Sequence, residues 1–454
     1  GELDTDSSNF ALTVTGDVSV TGTLTCNAST VTLRSIDIED GGTLTAPTGT
    51  FDIGKNVNGT QFASSTSATT FTAEASHGIV VGDVIRIDSE DMYVSGVSTN
   101  DITVTRGFLS STAANHANGS DILKQGQLIV TDTPGGSGGD AFDANGSGRT
   151  VTAGSGIITF KGNTNPQIRN ASNENFHHII INSTGGTPTV ETQRNITLGG
   201  NLYIFAGTFR SYGSSARTIT VTGDVSVENG GTLGGGSANT GNHSFGSLEI
   251  QSGGTYIATS GTTTITGEAT DGVCLRSNGT FTHNSGLVSI ETADHTTLVW
   301  SSASQRFNNL TVNLGASARV CTLSGQFDSH RYVEGDFTVT NCKFDTNNAG
   351  TFRIDGDVSL TSSATLTCGT STCSFGGIKL PSGTTLSASS GTTTITNRFT
   401  GESHLWKNDG GTFTHNNGTV KFNDNDHSAV KENTFYNVEV ESNLGDYAVS
   451  FEAQ

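Results

Sequence analysis

Two Asp-His pairs are the residues of this chain whose types and spacing best suit chemistry. Asp294-His295 recurs as Asp426-His427 further along the chain. A carboxylate beside an imidazole can bind a metal ion or exchange protons near neutral pH. The corresponding place in an earlier repeat holds Thr164-Asn165, and Asp, Asn and Thr all bond the backbone of turns. We therefore favour a turn-forming role, and keep the four residues as candidates for a metal site.

Paired carboxylates occur at two places, at Asp37, Glu39 and Asp40 and again at Glu90 and Asp91. A glycosidase needs two carboxylates that converge in a groove. The acidic residues here lie in turn-like stretches, so solvated side chains are the favoured interpretation. Bound calcium at such turns stays possible, although the sequence has no EF-hand loop or other calcium-binding repeat. No other cofactor is predicted.

The aromatic and nucleophile patterns of an enzyme are weak. Trp300 and Trp406 are the two tryptophans that could serve as sugar platforms. The sequence shows no GxSxG elbow, no Walker loop and no Cys/His nucleophile pattern. We therefore expect a non-enzymatic protein, with no catalytic and no cofactor-binding residue.

Three histidines are interpreted as scaffold. His116 is predicted to anchor a turn as a hydrogen-bond donor, with a ligand role as the less favoured alternative. His283 and His415 both stand in a Thr-His-Asn sequence, at the same point of two repeats. Because that point is repeated, we expect these two side chains to shape a turn.

The six cysteines form no CxxC pair, which argues against zinc. Cys321 with Cys342, or Cys368 with Cys373, could form a disulfide between neighbouring repeats. Small buried residues with free thiols are the favoured interpretation. The full set is Cys26, Cys274, Cys321, Cys342, Cys368 and Cys373.

Composition and charge restrict the class of protein. Only 32% of the 454 residues are apolar and glycine occurs 59 times, so any core must be thin and distributed along the chain. The formal net charge of −20 argues against nucleic acid and anionic membrane as direct partners. No apolar run approaches the roughly 20 residues of a membrane-spanning helix, so no membrane insertion is expected.

A short unit recurs, in which Gly-Thr opens each of two alternating runs. It predicts strand, tight turn and strand, with glycine supplying the permissive backbone angle. The five copies are Gly42 to Ile53, Gly254 to Ile265, Gly279 to Ile290, Gly383 to Ile395 and Gly411 to Phe422.

A longer repeat contains these units. Gly223 to Val227 recurs as Gly356 to Leu360, and an earlier copy opens at Gly16 to Val20. An ancestral unit of roughly 130 residues has therefore been duplicated. Both ends of the chain fall inside this period, so we expect a piece of a longer polypeptide, or ends completed by a neighbouring copy.

The first copy is interrupted by an insert of different character. Ile79 to Ile87, Met92 to Val97 and Ile102 to Thr105 alternate strongly and predict a small antiparallel β-domain. Pro134 to Gly148 is predicted to be a Gly/Ser linker. The predicted organisation is 1–60 and 149–222 for copy one, 61–130 for the inserted domain, 131–148 for the linker, 223–355 for copy two and 356–454 for an incomplete copy three.

The insert resembles a module of virion structural proteins of tailed bacteriophages, many of them marine. The resemblance lies in Gly82 to Val94, which follows the pattern GDxIxIDxE, then in Ile102 to Gly107 with VxRG, and in His116 to Gly119 with HxxG. It covers about 77–120 and departs at Ser110, where the pattern has glycine. The flanking repeats look like phage fibre or bacterial surface-adhesin sequences. The resemblance implies a tail or head fibre.

Together these features predict an all-β protein, a β-solenoid of stacked repeats with a small inserted antiparallel domain. Separate β-sandwiches are the alternative architecture. The predicted function is that of a virion fibre or appendage that self-assembles and contacts a host-surface glycan or protein. We expect it to be a homo-oligomer on the virion surface, in contact with other virion proteins. A bacterial extracellular filament or adhesin and a carbohydrate-active tailspike are the alternatives.

Overall fold

The computed structural model has only β-structure in the part of the chain that it describes, where there are 48 strands and no helix. The prediction of an all-β solenoid with a small antiparallel sheet is confirmed, and the solenoid has about 15 turns. The described residues are 1–5, 8–38, 41–48, 51–53, 66–73, 77–117, 120, 122–130, 140–143, 155–163, 165–169, 175–183, 188–212, 216–236, 239–300, 306–324, 331–348, 350–424, 428–431, 433–441 and 449–452.

The chain divides into two compact units. Unit 1 comprises residues 1–190 and 196–203, and unit 2 comprises 191–195 and 204–454. The first strands of unit 1 form two parallel ladders, β1-β3-β5 and β2-β4-β6. Their bounds are β1 (Glu2–Asp4), β2 (Leu12–Val20), β3 (Thr23–Thr25), β4 (Val31–Ile38), β5 (Thr43–Thr45) and β6 (Phe51–Ile53).

The next five strands of unit 1 form the antiparallel sheet, in the order β11-β8-β9-β10-β7. We call this sheet and its loops, residues 66–124, the module. It encloses its own apolar core, which includes Ile85, Met92, Val94 and Ile102. The strands are β7 (Thr70–Thr72), β8 (Val84–Ile87), β9 (Glu90–Ser98), β10 (Asp101–Phe108) and β11 (Ile122–Lys124).

The predicted first strand of the module is too long, because the structure forms a turn before Val84. The Asp83 carboxylate accepts the Val80 amide hydrogen at 2.7 Å, and the Val80 carbonyl accepts the Asp83 amide hydrogen at 3.1 Å. Gly82 lies at the tip of this turn with φ +91°. A positive φ suits glycine and strains other residues, so the chain turns here and the strand starts after it.

The solenoid of unit 1 resumes directly after the module. β12 lies inside the predicted insert, yet it pairs in parallel with β14, and β14 pairs in parallel with β17. β13 lies inside the predicted linker and pairs with β15; the neighbouring residues 131–139 and 144–154 lie outside the described part. The strands are β12 (Gln127–Val130), β13 (Asp140–Asp143), β14 (Ile157–Phe160), β15 (Gln167–Arg169), β16 (Asn175–Phe176), β17 (His178–Asn182), β18 (Thr189–Thr192), β19 (Ile196–Leu198) and β20 (Leu202–Ser211). Of these, β18 and β20 contain residues of both units.

The remaining strands build the solenoid of unit 2. They are β21 (Ile219–Val227), β22 (Gly231–Gly234), β23 (His243–Ile250), β24 (Thr255–Ile257), β25 (Thr262–Ile265), β26 (Val273–Ser277), β27 (Thr280–Thr282), β28 (Leu287–Ile290), β29 (Thr296–Trp300), β30 (Arg306–Phe307), β31 (Asn309–Asn313), β32 (Val320–Ser324), β33 (Arg331–Val333), β34 (Phe337–Thr340), β35 (Lys343–Asp345), β36 (Thr351–Ile354), β37 (Val358–Thr361), β38 (Thr365–Thr367), β39 (Thr372–Phe375), β40 (Ile378–Pro381), β41 (Thr385–Ser387), β42 (Thr392–Ile395), β43 (His404–Asp409), β44 (Thr412–Thr414), β45 (Thr419–Asn423), β46 (Ser428–Lys431), β47 (Asn437–Glu441) and β48 (Val449–Glu452).

Each turn of the solenoid in unit 2 stacks on the next in parallel register. Val358 pairs with Ile378 on the following turn, and Ile378 pairs with Trp406 on the turn after that. Within a short strand such as β38, the middle residue Leu366 is buried and its two threonines face outward. Leu366 in turn pairs with Leu386, so apolar side chains stack on one another through the core. This parallel stacking is incompatible with the alternative of separate β-sandwiches, whose sheets are antiparallel.

Four of the Gly-Thr units, all in unit 2, form corners of the solenoid, and in the unit Gly42 to Ile53 the residues 49 and 50 lie outside the described part. In the unit Gly411 to Phe422, β44 pairs with β41 and β45 pairs with β42, so the two strands pair with the neighbouring turn and not with each other. The residues with positive φ at this corner are Asn416 and Asn417, at 51° and 60°. The prediction that glycine supplies the permissive angle is therefore wrong at this corner, where asparagine does so.

Gly418 is needed at the same corner for a different reason. A Cβ atom built on it would lie 2.0 Å from the Ser389 carbonyl oxygen of the neighbouring turn. We expect Gly418→Ala to push the two turns apart and to lower the free energy of unfolding by about 1–3 kcal/mol, in the range of overpacked cores. Urea unfolding compared with Gly350→Ala checks this, because a Cβ at Gly350 meets nothing within 4 Å. Equal effects of the two substitutions would contradict the close approach.

A buried histidine in unit 2 is expected to make the solenoid sensitive to acid. The His243 ring is buried, its Nδ1 lies 3.1 Å from the Tyr256 hydroxyl, and its Nε2 has no hydrogen-bond partner. Burial lowers the pKa of His243 to about 4. The unfolded chain, with an ordinary histidine pKa of about 6.5, binds the proton first as the pH falls. The contribution of neutral His243 to stability is therefore complete above about pH 6.5 and is lost as the pH drops towards 4.

We expect this histidine to remove about 3 kcal/mol from the free energy of unfolding of unit 2 between pH 6.5 and pH 4. Urea titrations followed by tryptophan fluorescence at both pH values measure the loss. His243→Phe should abolish most of it, whereas His283→Gln, at a partly exposed corner, should not. An undiminished pH dependence in His243→Phe would show that other groups carry the effect.

Candidate functional site

The three separated parts of the module's sequence pattern meet at one buried carboxylate. Glu90 opens β9 and is fully buried, and Arg106 near the end of β10 is nearly so. Arg106 donates from Nε to Glu90 Oε1 at 2.6 Å and from Nη2 to Oε2 at 2.7 Å. The amides of Gly107 and Ala114 donate to the two oxygens at 2.9 and 2.8 Å. We call this set, completed by His116 and Asp88, the carboxylate network.

His116 connects the loop after β10 to the same network. Its Nε2 lies 2.9 Å from Glu90 Oε2 and its Nδ1 lies 2.8 Å from Asp88 Oδ2. The prediction that His116 anchors a turn agrees with these contacts, because Asp88 lies in the turn between β8 and β9. The prediction did not include the second partner, the buried Glu90. The sequence pattern contained the needed signal, because its Asp, Glu, Arg and His positions are the residues that meet.

The electrostatics keep Glu90 ionised. Burial alone would raise its pKa, but the hydrogen bonds from Arg106, from the Ala114 and Gly107 amides and from His116 outweigh burial and lower the pKa to about 2. With both oxygens occupied, Glu90 is unsuited to accept a proton from a substrate. The network fixes the loop from Arg106 to His116 across the sheet, and this is its chemical role.

The neighbouring carboxylate is also paired. Asp91 accepts two hydrogen bonds from Arg86, each at 2.8 Å, and is itself buried. The prediction of solvated side chains at Glu90 and Asp91 is therefore wrong. Of the other acidic group, Asp37 lies in β4, and Glu39 and Asp40 lie outside the described residues.

The module is mounted on the solenoid of unit 1 by specific contacts. Asn182 at the end of β17 donates to the Tyr93 hydroxyl of the module at 2.6 Å. The Leu109 amide donates to the Tyr203 hydroxyl at 3.1 Å, and Asn201 Nδ2 donates to the Ser110 hydroxyl at 2.9 Å. We call these contacts the mount.

Aromatic packing adds to these hydrogen bonds. The Phe108 ring packs in a tilted orientation against the Tyr203 ring, with centroids 4.1 Å apart, and against the Tyr93 ring at 5.4 Å. Ser110, where the resemblance has glycine, adopts φ 61°, a conformation that suits glycine. Its hydroxyl supplies a mount contact that glycine would lack. Sequence reasoning missed Asn182, Asn201 and Tyr203, since nothing in their local pattern marks them.

Of the two Asp-His pairs, only Asp294-His295 lies within the described residues. The His295 amide donates to Asp294 Oδ1 at 2.7 Å, and His295 Nδ1 accepts the Val320 amide hydrogen at 3.1 Å. Both side chains thus bond backbone at a turn, in line with the interpretation that the sequence favours. Asp426 and His427 lie outside the described residues, as does Thr164 of the earlier repeat.

The structure adds one carboxyl to this candidate. Burial, together with the nearby charge of Asp294, raises the pKa of Glu268, and the Thr292 and Thr296 hydroxyls partly offset the shift. Glu268 Oε1 is buried without a hydrogen-bond partner. Across the described residues, no group of three or more His, Cys, Asp or Glu side chains could hold a metal ion.

The two tryptophans belong to the core and are not sugar platforms. Both are buried. Trp300 packs edge-on against Phe307 with centroids 4.1 Å apart, and Trp406 packs edge-on against Phe413 at 4.8 Å.

The predicted corner histidines do shape their turns. His283 Nδ1 accepts the Ser285 amide hydrogen at 2.9 Å, and His415 Nδ1 accepts the Asn417 amide hydrogen at 3.0 Å. The scaffold interpretation of both residues is confirmed.

The favoured interpretation of the cysteines is confirmed as well, because all six are buried and free. Burial raises the pKa of the Cys274 thiol to about 12, which makes it a poor nucleophile.

Comparison with known proteins gives no further identification. No protein-family model, no curated protein and no solved structure matches the chain. Within the described residues, no helix is long and apolar enough to cross a membrane. The β-solenoid fold itself is compatible with fibre-like or adhesin-like structural proteins.

Proposed function

We propose that this chain is a structural and attachment component of a tailed-phage virion, a fibre or appendage on the particle surface. The observation that carries the proposal is the carboxylate network. The residues through which the insert resembles a phage virion module, Glu90, Arg106 and His116, converge on one buried cluster. That the three residues meet in this chain supports treating the sequence pattern as one structural unit.

The stacked turns supply the mechanical part of this role. A parallel solenoid is a stiff element whose turns are held by continuous ladders of hydrogen bonds. The formal charge of −20 keeps copies of an exposed particle protein apart in solution. Its partners in this proposal are other copies of itself, other virion proteins, and a glycan or protein of the host surface.

The mount favours an attachment role for this chain over the role of a filament that binds no receptor. The mount holds the module against the solenoid through three hydrogen bonds and a tilted aromatic pair. Gln127 of β12 adds a further hydrogen bond, from its Nε2 to the Gly82 carbonyl at 3.3 Å. A binding element that is held rigidly loses less conformational entropy when it meets its receptor. In this proposal the module presents the recognition surface, and the repeats present the module.

Localisation distinguishes the phage proposal from the adhesin alternative. Antibodies against the recombinant chain are expected to label an appendage of tailed particles in electron micrographs of the source lysate. Mass spectrometry of the purified particles should find the chain in constant proportion to the capsid protein. Labelling of filaments on bacterial cells, with unlabelled particles, would replace the virion proposal with a bacterial surface adhesin.

The carbohydrate-active alternative would depend on Glu268 and Asp294. These residues bring a carboxyl group with a raised pKa near a second acidic residue. The recombinant chain is expected to leave host polysaccharide intact. If the recombinant chain cleaved host polysaccharide, and this activity were lost in Glu268→Gln but kept in Glu334→Gln, the carbohydrate-active alternative would replace the proposal.

A further inference from the structure

We propose that the mount is an acid-sensitive latch, in which protonation of His178 releases the module from the solenoid. The inference is independent of the phage proposal, because it concerns how two parts of unit 1 are held together. It depends on a short chain of contacts from the His178 ring through Asn201 and Tyr203 to the module.

The first contact is a hydrogen bond that only the neutral imidazole can accept. His178 opens β17, its ring is buried, and its Nδ1 accepts the Asn201 amide hydrogen at 2.9 Å. A proton on Nδ1 turns the acceptor into a donor, so that two N–H groups would face each other. The Asn201 backbone would then have to move away from the ring.

The second set of contacts carries that movement to the module. The Asn201 side chain donates to the Ser110 hydroxyl of the module at 2.9 Å and to the Tyr203 hydroxyl at 3.0 Å. The same Tyr203 hydroxyl accepts the Leu109 amide hydrogen. Displacement of Asn201 therefore breaks its hydrogen bond to Ser110. It also removes a hydrogen bond that positions the Tyr203 hydroxyl, which is the acceptor of the Leu109 amide.

Two neighbours lie close to the His178 ring. A Cβ atom on Gly200 would lie 2.5 Å from His178 Nδ1 and Cε1, so glycine is what permits this close approach. On the other side, the His177 ring lies edge-on with centroids 4.2 Å apart. The backbone of Gly200 and the neighbouring imidazole thus restrict movement of the ring on these two sides.

No anion among the described residues around the ring compensates a positive charge. Strand β14, the loop 199–201 and the turn Leu109-Ser110 contribute no ionisable side chain, and Tyr203 contributes a phenol. The titratable neighbour next to it in the chain is His177, whose pKa burial also lowers. Burial and the charge of His177 lower the pKa of His178 to about 3. The closed mount thus favours neutral His178, and opening exposes it to water and to protons.

Hydrogen exchange of the full chain tests the latch at two amides that belong to it, Leu109 and Asn201. An open-state pKa of about 6.5 predicts that their protection, corrected for the intrinsic exchange rate, falls about 25-fold between pH 7 and pH 5. The Val94 amide, which donates to the Asp83 carbonyl inside the module, should keep its protection because the module lifts without unfolding. Simultaneous loss at Val94 would show that the module unfolds, and would overturn the release mechanism.

His178→Gln is the decisive variant, because its side chain keeps an acceptor but does not titrate. Its Leu109 and Asn201 amides should change less than about 2-fold over the same pH range. An unchanged 25-fold fall in the variant, or no fall in the wild type, would overturn the proposal. His283→Gln is the matched control and should behave as the wild type.

A second measurement does not depend on how the variant folds. NMR titration of the His178 ring in the wild-type chain should show no protonation above pH 5 while Leu109 stays protected. A ring that titrates near pH 6.5 with its mount amides still protected would contradict the latch.

Discussion

Replacing Glu90 by alanine is expected to destabilise the module by about 3–5 kcal/mol, the usual cost of removing one partner of a buried ion pair. The substitution leaves the buried Arg106 guanidinium without its carboxylate. It also removes the acceptor of the Gly107 and Ala114 amides and of His116. Hydrogen exchange of the β8, β9 and β10 amides measures the loss locally, which is appropriate for a chain of several cooperative units.

The matched control for Glu90 is an ion pair at the surface. Glu334 lies 3.0 Å from the half-exposed Arg306, and such pairs contribute about 0–1 kcal/mol. If Glu90→Ala and Glu334→Ala lowered the exchange protection of the amides around each residue by similar amounts, the structural role of the carboxylate network would be contradicted. Acid should reproduce the Glu90 loss, because the lowered pKa gives a contribution that is complete above about pH 4.5 and disappears as the pH falls to about 2.

Trp406→Ala is expected to cost about 3–5 kcal/mol in unit 2, as for other large aromatic residues in cores. The Trp406 ring is fully buried and packs edge-on against Phe413 and against Phe435, whose centroid is 5.4 Å away. Because each solenoid turn touches mainly its neighbours, exchange protection should fall most in β40, β43 and β46.

Two further substitutions define the origin of the Trp406 effect. Trp406→Phe should cost much less than alanine, since it keeps an aromatic ring and removes a buried Nε1–H that has no acceptor. Tyr436→Ala, at an exposed ring nearby, should change the free energy of unfolding by less than about 0.5 kcal/mol. If Trp406→Ala lowered the free energy of unfolding no more than Tyr436→Ala, this part of the core would not be tightly packed.

The solenoid could be predicted from the sequence because its signals are local and repeated. The unit Gly411 to Phe422 specifies two strands and a corner, and four other stretches repeat it. What the local pattern did not contain was the partner of each strand. Strands β44 and β45 pair with β41 and β42 of the preceding turn, and this register depends on the length of a whole turn. The need for glycine at Gly418 likewise appears only when its turn is stacked on the preceding turn, which contains Ser389.

The site was less predictable because its residues are brought together by tertiary contacts. Arg106 and His116 lie far along the chain from Glu90, on another strand and in the loop after it, and one carboxylate unites them. The sequence pattern included all three residues without showing that they meet. Asn201 and His178 carried no signal at all, since their importance comes from a module inserted far from them in the chain.

The unequal length of the turns bears on how such a chain evolves. The turn that leads from Val358 to Ile378 is shorter than the turn from Ile378 to Trp406, while the strands they connect keep their parallel register. The extra residues therefore lie in the corner loops, where lengthening a surface loop costs little conformational free energy. The module is the extreme case of such a corner, inserted between β6 and β12. A scaffold of this kind can accept a different inserted domain without a change in the buried residues of its own core, so the sequence of the insert and the sequence of the repeats can change independently.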